Sequence, residues 1–284
     1  MPARALAGCS WHQYNITFTS HGDGERAAAR HLLPALTAAQ ASGSLSRWWY
    51  IRKRPAWRLR YLAPPGPGIG ALLDHLTSQG EITSWTTGIY EPETTAFGGP
   101  GAMPATHLLF HHDSRHILAR AAAPPGTPAL GKRETAVVLC SAMLRGADLD
   151  WYEQGDVWEK VARLRAGAGA LPAARAAQLR PAMHRLLTIS TSSLDSEQNS
   201  SAPMGSSEWT SAFEQAGQAL ADLARTGALR RGVRAVLAHH VIFHANRAGL
   251  PVRDQSILAT LAADTMFSTV PGPVFLPGTR LPHN

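Results

Sequence analysis

No stretch of about 18 uninterrupted apolar residues occurs in the 284-residue chain, which argues against a membrane-spanning helix. There are two cysteines, Cys9 and Cys140, far apart and in no CxxC pair. That pattern speaks against a disulfide framework or a structural zinc site and fits a reduced compartment. Cys140 falls inside an apolar helical stretch and reads as a small core residue. The first residues lack an apolar core followed by a small-residue cleavage site, so a cytoplasmic location is expected. Lysine is scarce and no run of five or more basic residues occurs. The excess of 27 Lys+Arg over 20 Asp+Glu, a net charge of +7, is therefore weak support for nucleic acid as a ligand. Glycine-rich phosphate loops, nucleotide-binding fingerprints and nucleophile elbows are also missing, and no internal repeat is visible.

What is present is a core-forming composition, 44% hydrophobic against 17% charged. Residues 11–18 alternate large and polar side chains, as a strand does. Residues 25–41 carry Ala28, Leu32, Leu33 and Leu36 at helical spacing, and Gly43 ends that helix. The runs 48–51 and 57–62 read as two strands of a hairpin broken at Arg54-Pro55. A Pro/Gly loop at 64–68 leads to a helix over 69–79 and a strand over 82–90. From Pro104 onward the periodicity is helical, over 105–120, 134–145, 151–164, 174–187, 208–225, 232–248 and 255–267. Pro-rich links at 121–128 and 167–172, a serine-rich loop at 190–207 and an extended tail beyond Val270 are expected between and after them. The order β-α-β-β-α-β predicts a ferredoxin-like arrangement. The fold class is α+β, with a ferredoxin-like βαββαβ portion over 1–103 packed on a mostly helical portion over 104–284. The two are expected to form one functional unit.

Several residue groups are candidates for chemistry. Arg52, Lys53, Arg54, Arg58 and Arg60 crowd the hairpin, and Arg58 and Arg60 share a face because strand side chains repeat every two residues. Two guanidiniums on one face make a carboxylate or phosphate clamp. Trp48, Trp49, Trp57 and Tyr61 flank them. A solvated strand face explains the same pattern. After the last strand, Tyr90, Glu91 and Glu93 precede Phe97-Gly98-Gly99, where acidic groups meet a turn. Histidines cluster at His107, His111, His112 and His116 beside Asp113, and again at His239, His240 and His244 before Asn246 and Arg247. His240 and His244, one turn apart, have a spacing a metal could use. No glutamate lies between them and no third ligand is evident, so no metal and no cofactor is expected. Proton transfer by a histidine, or hydrogen bonding in a polar core, are the two readings that stand.

Four segments in order carry a resemblance. They are Trp49-Tyr50-Ile51-Arg52 with Trp57-Arg58-Leu59-Arg60, Tyr90-Glu91-Pro92-Glu93 with Phe97-Gly98-Gly99, Leu109 to Ser114, and His244-Ala245-Asn246-Arg247. Together they resemble the C-terminal, glutamate-eliminating domain of lantibiotic dehydratases, and more closely the stand-alone thiopeptide-type bacteriocin biosynthesis proteins. The resemblance implies work on a ribosomally made precursor peptide carrying a leader. A separate glutamylating dehydratase, using glutamyl-tRNA, would modify Ser or Thr. This chain would then expel glutamate to leave dehydroalanine or dehydrobutyrine. A related branch, the pyridine synthases, instead joins two dehydroalanines in a formal [4+2] cycloaddition. A non-catalytic subunit that captures the peptide by strand addition is the third reading. For elimination the implied catalytic residues are His244, His240, Arg52 and Glu93, and the implied substrate-binding residues are Arg58, Arg60, Trp57, Tyr90 and Arg247. A homodimer stays open. Two positions depart from the dehydratases. Ala96 stands where they carry an arginine before the aromatic-Gly-Gly, and Ile242 where they carry the catalytic histidine four residues before Asn-Arg.

Overall fold

The structure is a computed structural model that describes residues 8–19, 24–66, 68–124, 126–127, 130–189 and 206–268. Strand β1 (Ser10–Phe18) is followed by a helical run over 24–41. That run comprises α1 (Gly24–Ala27), a π-helical stretch (Ala28–Leu32) and α2 (Leu33–Ala41). Then come β2 (Arg47–Arg52), β3 (Trp57–Ala63), α3 (Gly70–Ser78) and β4 (Ile82–Gly88). The sheet order is β2-β3-β1-β4 with every neighbouring pair antiparallel, which is the split arrangement expected from the element order.

The helical portion follows as α4 (Met103–Ala121), α5 (Lys132–Gly146), α6 (Trp151–Leu164), α7 (Ala173–Thr188), α8 (Ser206–Arg225), α9 (Val233–Ala248) and α10 (Val252–Ser268). Helix α4 begins one residue before Pro104, since a proline in the first turn gives up an N–H that has no helical partner anyway. Strand β4 stops at Gly88, two residues short of the expected Tyr90, because Gly88 opposite Gln13 is its last pairing with β1. The expected serine-rich loop lies mostly outside the described residues, and its last two residues belong to α8. The expected tail beyond Val270 also lies outside them. A reciprocal cap starts α6: the Glu153 amide donates to Asp150 Oδ1 at 2.7 Å and the Asp150 amide to Glu153 Oε2 at 3.2 Å. Helices α5 and α8 touch through glycine. A Cβ on Gly217 would sit 2.0 Å from the Met143 carbonyl oxygen, so only hydrogen fits there.

Both faces of the sheet are covered, at least in part. On one, Tyr14, Ile16, Tyr50, Trp57 and Leu59 pack with Ala28, Leu32, Leu36, Leu73 and Leu76. On the other, Trp49 and Ile51 join Phe97, Met103 and Phe110. The free edge of β2 is closed by side chains from the helices. His111 Nδ1 lies 2.9 Å from the Trp48 carbonyl, Ser114 Oγ accepts from the Tyr50 amide at 3.2 Å, and Arg247 Nε donates to the Tyr50 carbonyl at 3.1 Å. An edge that would otherwise invite strand pairing is thus satisfied internally. Among the described residues no helix is long and apolar enough to cross a membrane.

Candidate active site

The hairpin register decides which arginines meet. Arg58 pairs with Ile51 and Asn15, and Arg60 with Trp49 and Gln13, whereas Arg52 pairs with Trp57. Paired residues share a face. Arg58 and Arg60 therefore stand on the face of Trp49, Gln13 and Asn15, and Arg52 and Trp57 on the opposite face. The expected grouping of Arg52 with Arg58 and Arg60 does not occur.

Arg60 is the centre of the first face and only 2% exposed. Its guanidinium carbon lies 4.4 Å from the ring centres of both Trp49 and Tyr90. Nε donates to Gln13 Oε1 at 2.8 Å, while Nη1 is buried with no hydrogen-bond partner. Burial lowers the Arg60 pKa, and the negative charge of Glu93 counters part of that. Glu93 Oε2 is likewise buried and unpartnered. The Tyr90 hydroxyl lies 2.7 Å from His107 Nε2. Burial pushes His107 down to about 4, helped by Arg47 and Arg60. It pushes the Tyr90 phenol up. At neutral pH the imidazole is uncharged and the phenol protonated, so the Tyr90 O–H donates to His107 Nε2. Trp11 closes the group, 4.4 Å from the His107 ring and 5.7 Å from Tyr90.

The turn bearing Glu93 is fixed by its own backbone. The Phe97 amide donates to the Glu93 carbonyl at 3.2 Å and the Gly99 amide to the Thr94 carbonyl at 2.7 Å. Gly98 has φ of 91°, which favours glycine, and a Cβ there would lie 2.4 Å from Leu229 Cδ1 and push that methyl aside. Phe97 is buried against Phe110, Phe243 and His240. His240 is thus part of the packing beneath the turn: its Nδ1 lies 3.0 Å from the Val236 carbonyl and its Nε2 3.3 Å from Thr106 Oγ1. Burial pushes it down to about 4. Ala96 packs against the same aromatic cluster, and Ile242 belongs to the larger core.

His244 belongs to a second, separate centre. Its Nδ1 is 3.0 Å from both carboxylate oxygens of Asp113, which also accepts from Trp209 Nε1 at 3.0 Å and from Arg247 Nη1. Asp113 is fully buried. Burial alone would raise its pKa, but the charges of His244 and Arg247 override this and hold it low. Arg247 spans the two centres, with its guanidinium carbon 4.4 Å from the Phe110 ring and 5.9 Å from Trp49. Arg52 donates from Nη2 to Glu25 at 2.8 Å and from Nε to the Arg247 carbonyl at 2.9 Å, and stacks over Trp57. The His244 ring borders a cleft of about 170 Å³ together with Glu25, Arg120, Lys132 and Trp209. Of the nine residues expected at the site, then, Arg60, Tyr90 and Glu93 come together with Arg58 on their face. Arg52, Trp57, His240 and His244 lie elsewhere, and Arg247 lies between. The sequence reading did not assign Gln13, Trp49 or His107 to the site. The strand alternation of Gln13 and Trp49 was the available signal for two of them.

The lantibiotic biosynthesis dehydratase C-term family model matches residues 11–266. None of the curated proteins matches in sequence. Among solved structures, the chain is similar to the tRNA-dependent lantibiotic dehydratase MibB from Microbispora sp. 107891, with 17% identity and a TM-score of 0.65. That match covers 92% of this chain and spans 28% of the dehydratase. TsrL matches at 17% identity and TM-score 0.62, over 92% of this chain and 95% of TsrL. The pyridine synthase TbtD, from thiomuracin biosynthesis, matches at 16% identity and TM-score 0.60, over 91% of this chain and 98% of TbtD.

Proposed function

Because the chain belongs to the lantibiotic dehydratase C-terminal family, with relatives that make modified ribosomal peptides, we propose that it eliminates glutamate from glutamylated Ser or Thr of a precursor peptide. One observation carries the reading. A buried guanidinium, Arg60, has an unpartnered Nη1 and stacks on Tyr90 of the Tyr90–His107 pair, and the charge of Glu93, whose buried Oε2 is also unpartnered, acts on both Arg60 and Tyr90. Elimination needs those three functions: a base for the Cα proton, a cation for the departing carboxylate, and a donor for the enolate-like oxygen. Glu93 takes the Cα proton. The Cβ–O bond then breaks, glutamate leaves as its carboxylate against Arg60, and the Cα–Cβ double bond remains. With substrate in place the Tyr90 hydroxyl turns its single O–H from His107 Nε2 to the substrate carbonyl. Arg58, half-buried on the same face, guides the acidic side chain in. The substrate comes from a separate glutamylating dehydratase that uses glutamyl-tRNA.

A second reading has its own support. The dehydratase arginine and histidine are replaced by Ala96 and Ile242, both in apolar packing, and the match to a pyridine synthase runs over nearly that whole chain. Under it, the neutral Tyr90–His107 pair hydrogen-bonds a peptide amide during cycloaddition of two dehydroalanines. In either case β4, with Thr83, Ser84, Thr86 and Thr87 exposed, offers an edge to an extended peptide. Mass spectrometry separates the readings. With a glutamylated peptide, elimination gives free glutamate and dehydrated residues. An inert glutamylated peptide, together with conversion of a dehydrated one to a pyridine-bridged macrocycle, assigns cycloaddition. Inertness toward both leaves a peptide-binding subunit.

A further inference from the structure

Away from the sheet-face site, α4 and the first turn of α8 bring three metal-ligand side chains together. His112 and His116 are one helical turn apart on α4 and so project from one side of it. Glu208 sits in the first turn of α8. His112 Nδ1 is 3.7 Å from Glu208 Oε1, and His116 Nε2 is 3.8 Å from Glu208 Oε2. All three donor atoms fall within 4.8 Å of one another. These gaps are too long for hydrogen bonds, and both nitrogens are buried without a hydrogen-bond partner. Orphaned buried nitrogens are uncommon in a folded protein and call for an explanation.

We propose that His112, His116 and Glu208 bind one divalent metal ion, Zn²⁺ by preference, which ties the start of α8 to α4. Tetrahedral zinc with bonds of about 2.0–2.2 Å holds its ligand atoms about 3.4 Å apart. The two histidine-to-carboxylate gaps close to that with shifts of a few tenths of an ångström, and the widest spacing in the cluster, at most 4.8 Å, with rotation of the half-exposed Glu208 side chain and a shift of up to about 1.4 Å. Two imidazoles and one carboxylate leave the fourth position to water, as at other His₂Glu zinc sites. Imidazole ligation favours Zn²⁺, Ni²⁺ or Cu²⁺ over Mg²⁺ and Ca²⁺, which prefer oxygen. Burial lowers both histidine pKa values and Glu208 only partly offsets it, so their lone pairs are free near neutral pH. Two cations oppose the ion: Arg47, whose charge acts on His112, and Arg115. The Arg115 guanidinium lies 3.8 Å from Glu208 Oε1, but it is 45% exposed and can turn toward solvent. The ion would hold the segment in which Trp209 stacks on His116 at 5.5 Å and donates to Asp113.

Titration calorimetry of ZnCl₂ into the chelator-stripped full chain tests the proposal. The expected result is one ion per chain, with no binding of MgCl₂. Removing an outer-shell partner of a metal site typically costs 10–100-fold in affinity, so His112→Ala, His116→Ala and Glu208→Gln should each weaken binding by at least about tenfold. Arg115→Gln should tighten it. The Glu208 side chain is 53% exposed, so its variant tests the site without disturbing the core. His75→Ala, on α3 far from the cluster in the chain, should bind as the unmodified protein does. Absence of zinc binding, or affinity unchanged in all three ligand variants, would overturn the site and leave the cluster as an ion-pair group.

Discussion

Replacing Asp113 by asparagine should destabilise the protein by about 3–5 kcal/mol, the usual cost of removing one partner of a buried ion pair. Asp113 is fully buried and accepts from three donors, on His244, Trp209 and Arg247. An amide offers one acceptor oxygen and turns its NH₂ toward another donor. Arg247, 1% exposed, then keeps its charge without a counter-charge. The remaining contacts of Arg247, to the Tyr50 carbonyl at 3.1 Å and over the Phe110 ring at 4.4 Å, place the loss toward the lower end, about 3 kcal/mol. Arg247→Met alone should cost a comparable amount, because Asp113 would lose its charged donor. The double variant removes both members of the Arg247–Asp113 pair and should cost about 2–3 kcal/mol less than the sum of the singles, the upper range of coupling between contacting residues. Urea unfolding followed by circular dichroism measures this, with the m-value unchanged if only the native state is affected. A loss below about 1 kcal/mol for Asp113→Asn, far under the 3–5 kcal/mol cited above, or additive singles, would refute the argument.

Three further outcomes follow from other parts of the molecule. His107 and His240 titrate at about 4 in the folded chain against 6.5 ordinarily. The unfolded chain therefore binds protons first as pH falls, and stability present above pH 6.5 declines down to about pH 4. The decline is up to roughly 3 kcal/mol for each histidine. Urea midpoints across that interval check it, and a flat profile would count against the burial argument. Arg60→Lys keeps the charge but loses the planar fork and the two ring stacks. Glutamate release should fall by about 10–150-fold, the equivalent of 1.5–3 kcal/mol. Unchanged release measured by mass spectrometry would remove Arg60 from the site. Gly217→Ala should destabilise by more than the roughly 1–3 kcal/mol typical of overpacking, since its methyl meets the Met143 carbonyl oxygen at 2.0 Å and backbone yields less than a side chain. A variant with an unaltered melting temperature would show that α5 and α8 can separate freely.

The sheet and hairpin were legible in the chain because large and polar residues alternate with period two over 11–18 and 57–62, and because 48–51 is an aromatic and β-branched run. The helices were legible because apolar residues recur at 3.6. Which face a hairpin residue takes was less accessible. Residues 53–56 connect β2 to β3 in a register that sets Arg52 opposite Trp57, so even-numbered residues of one strand share a face with odd-numbered residues of the other. That one register separates Arg52 from Arg58 and Arg60, although all three looked equivalent by count. The histidines of α9 show the same limit. Periodicity puts His240 and His244 on the buried side of a helix but does not say against what.

Local sequence thus determined the order and kind of elements, the ferredoxin-like portion and the clustering of cations in the hairpin, because backbone propensity and side-chain period act over a few residues. The tertiary structure alone decided the partners. His244 meets Asp113 across 131 positions, Tyr90 rather than a second arginine closes over Arg60, and Glu208 reaches the histidines of α4. Those pairings depend on how helices cross and how one strand register lands, and the free energy that selects them comes from burying surfaces far apart in the chain.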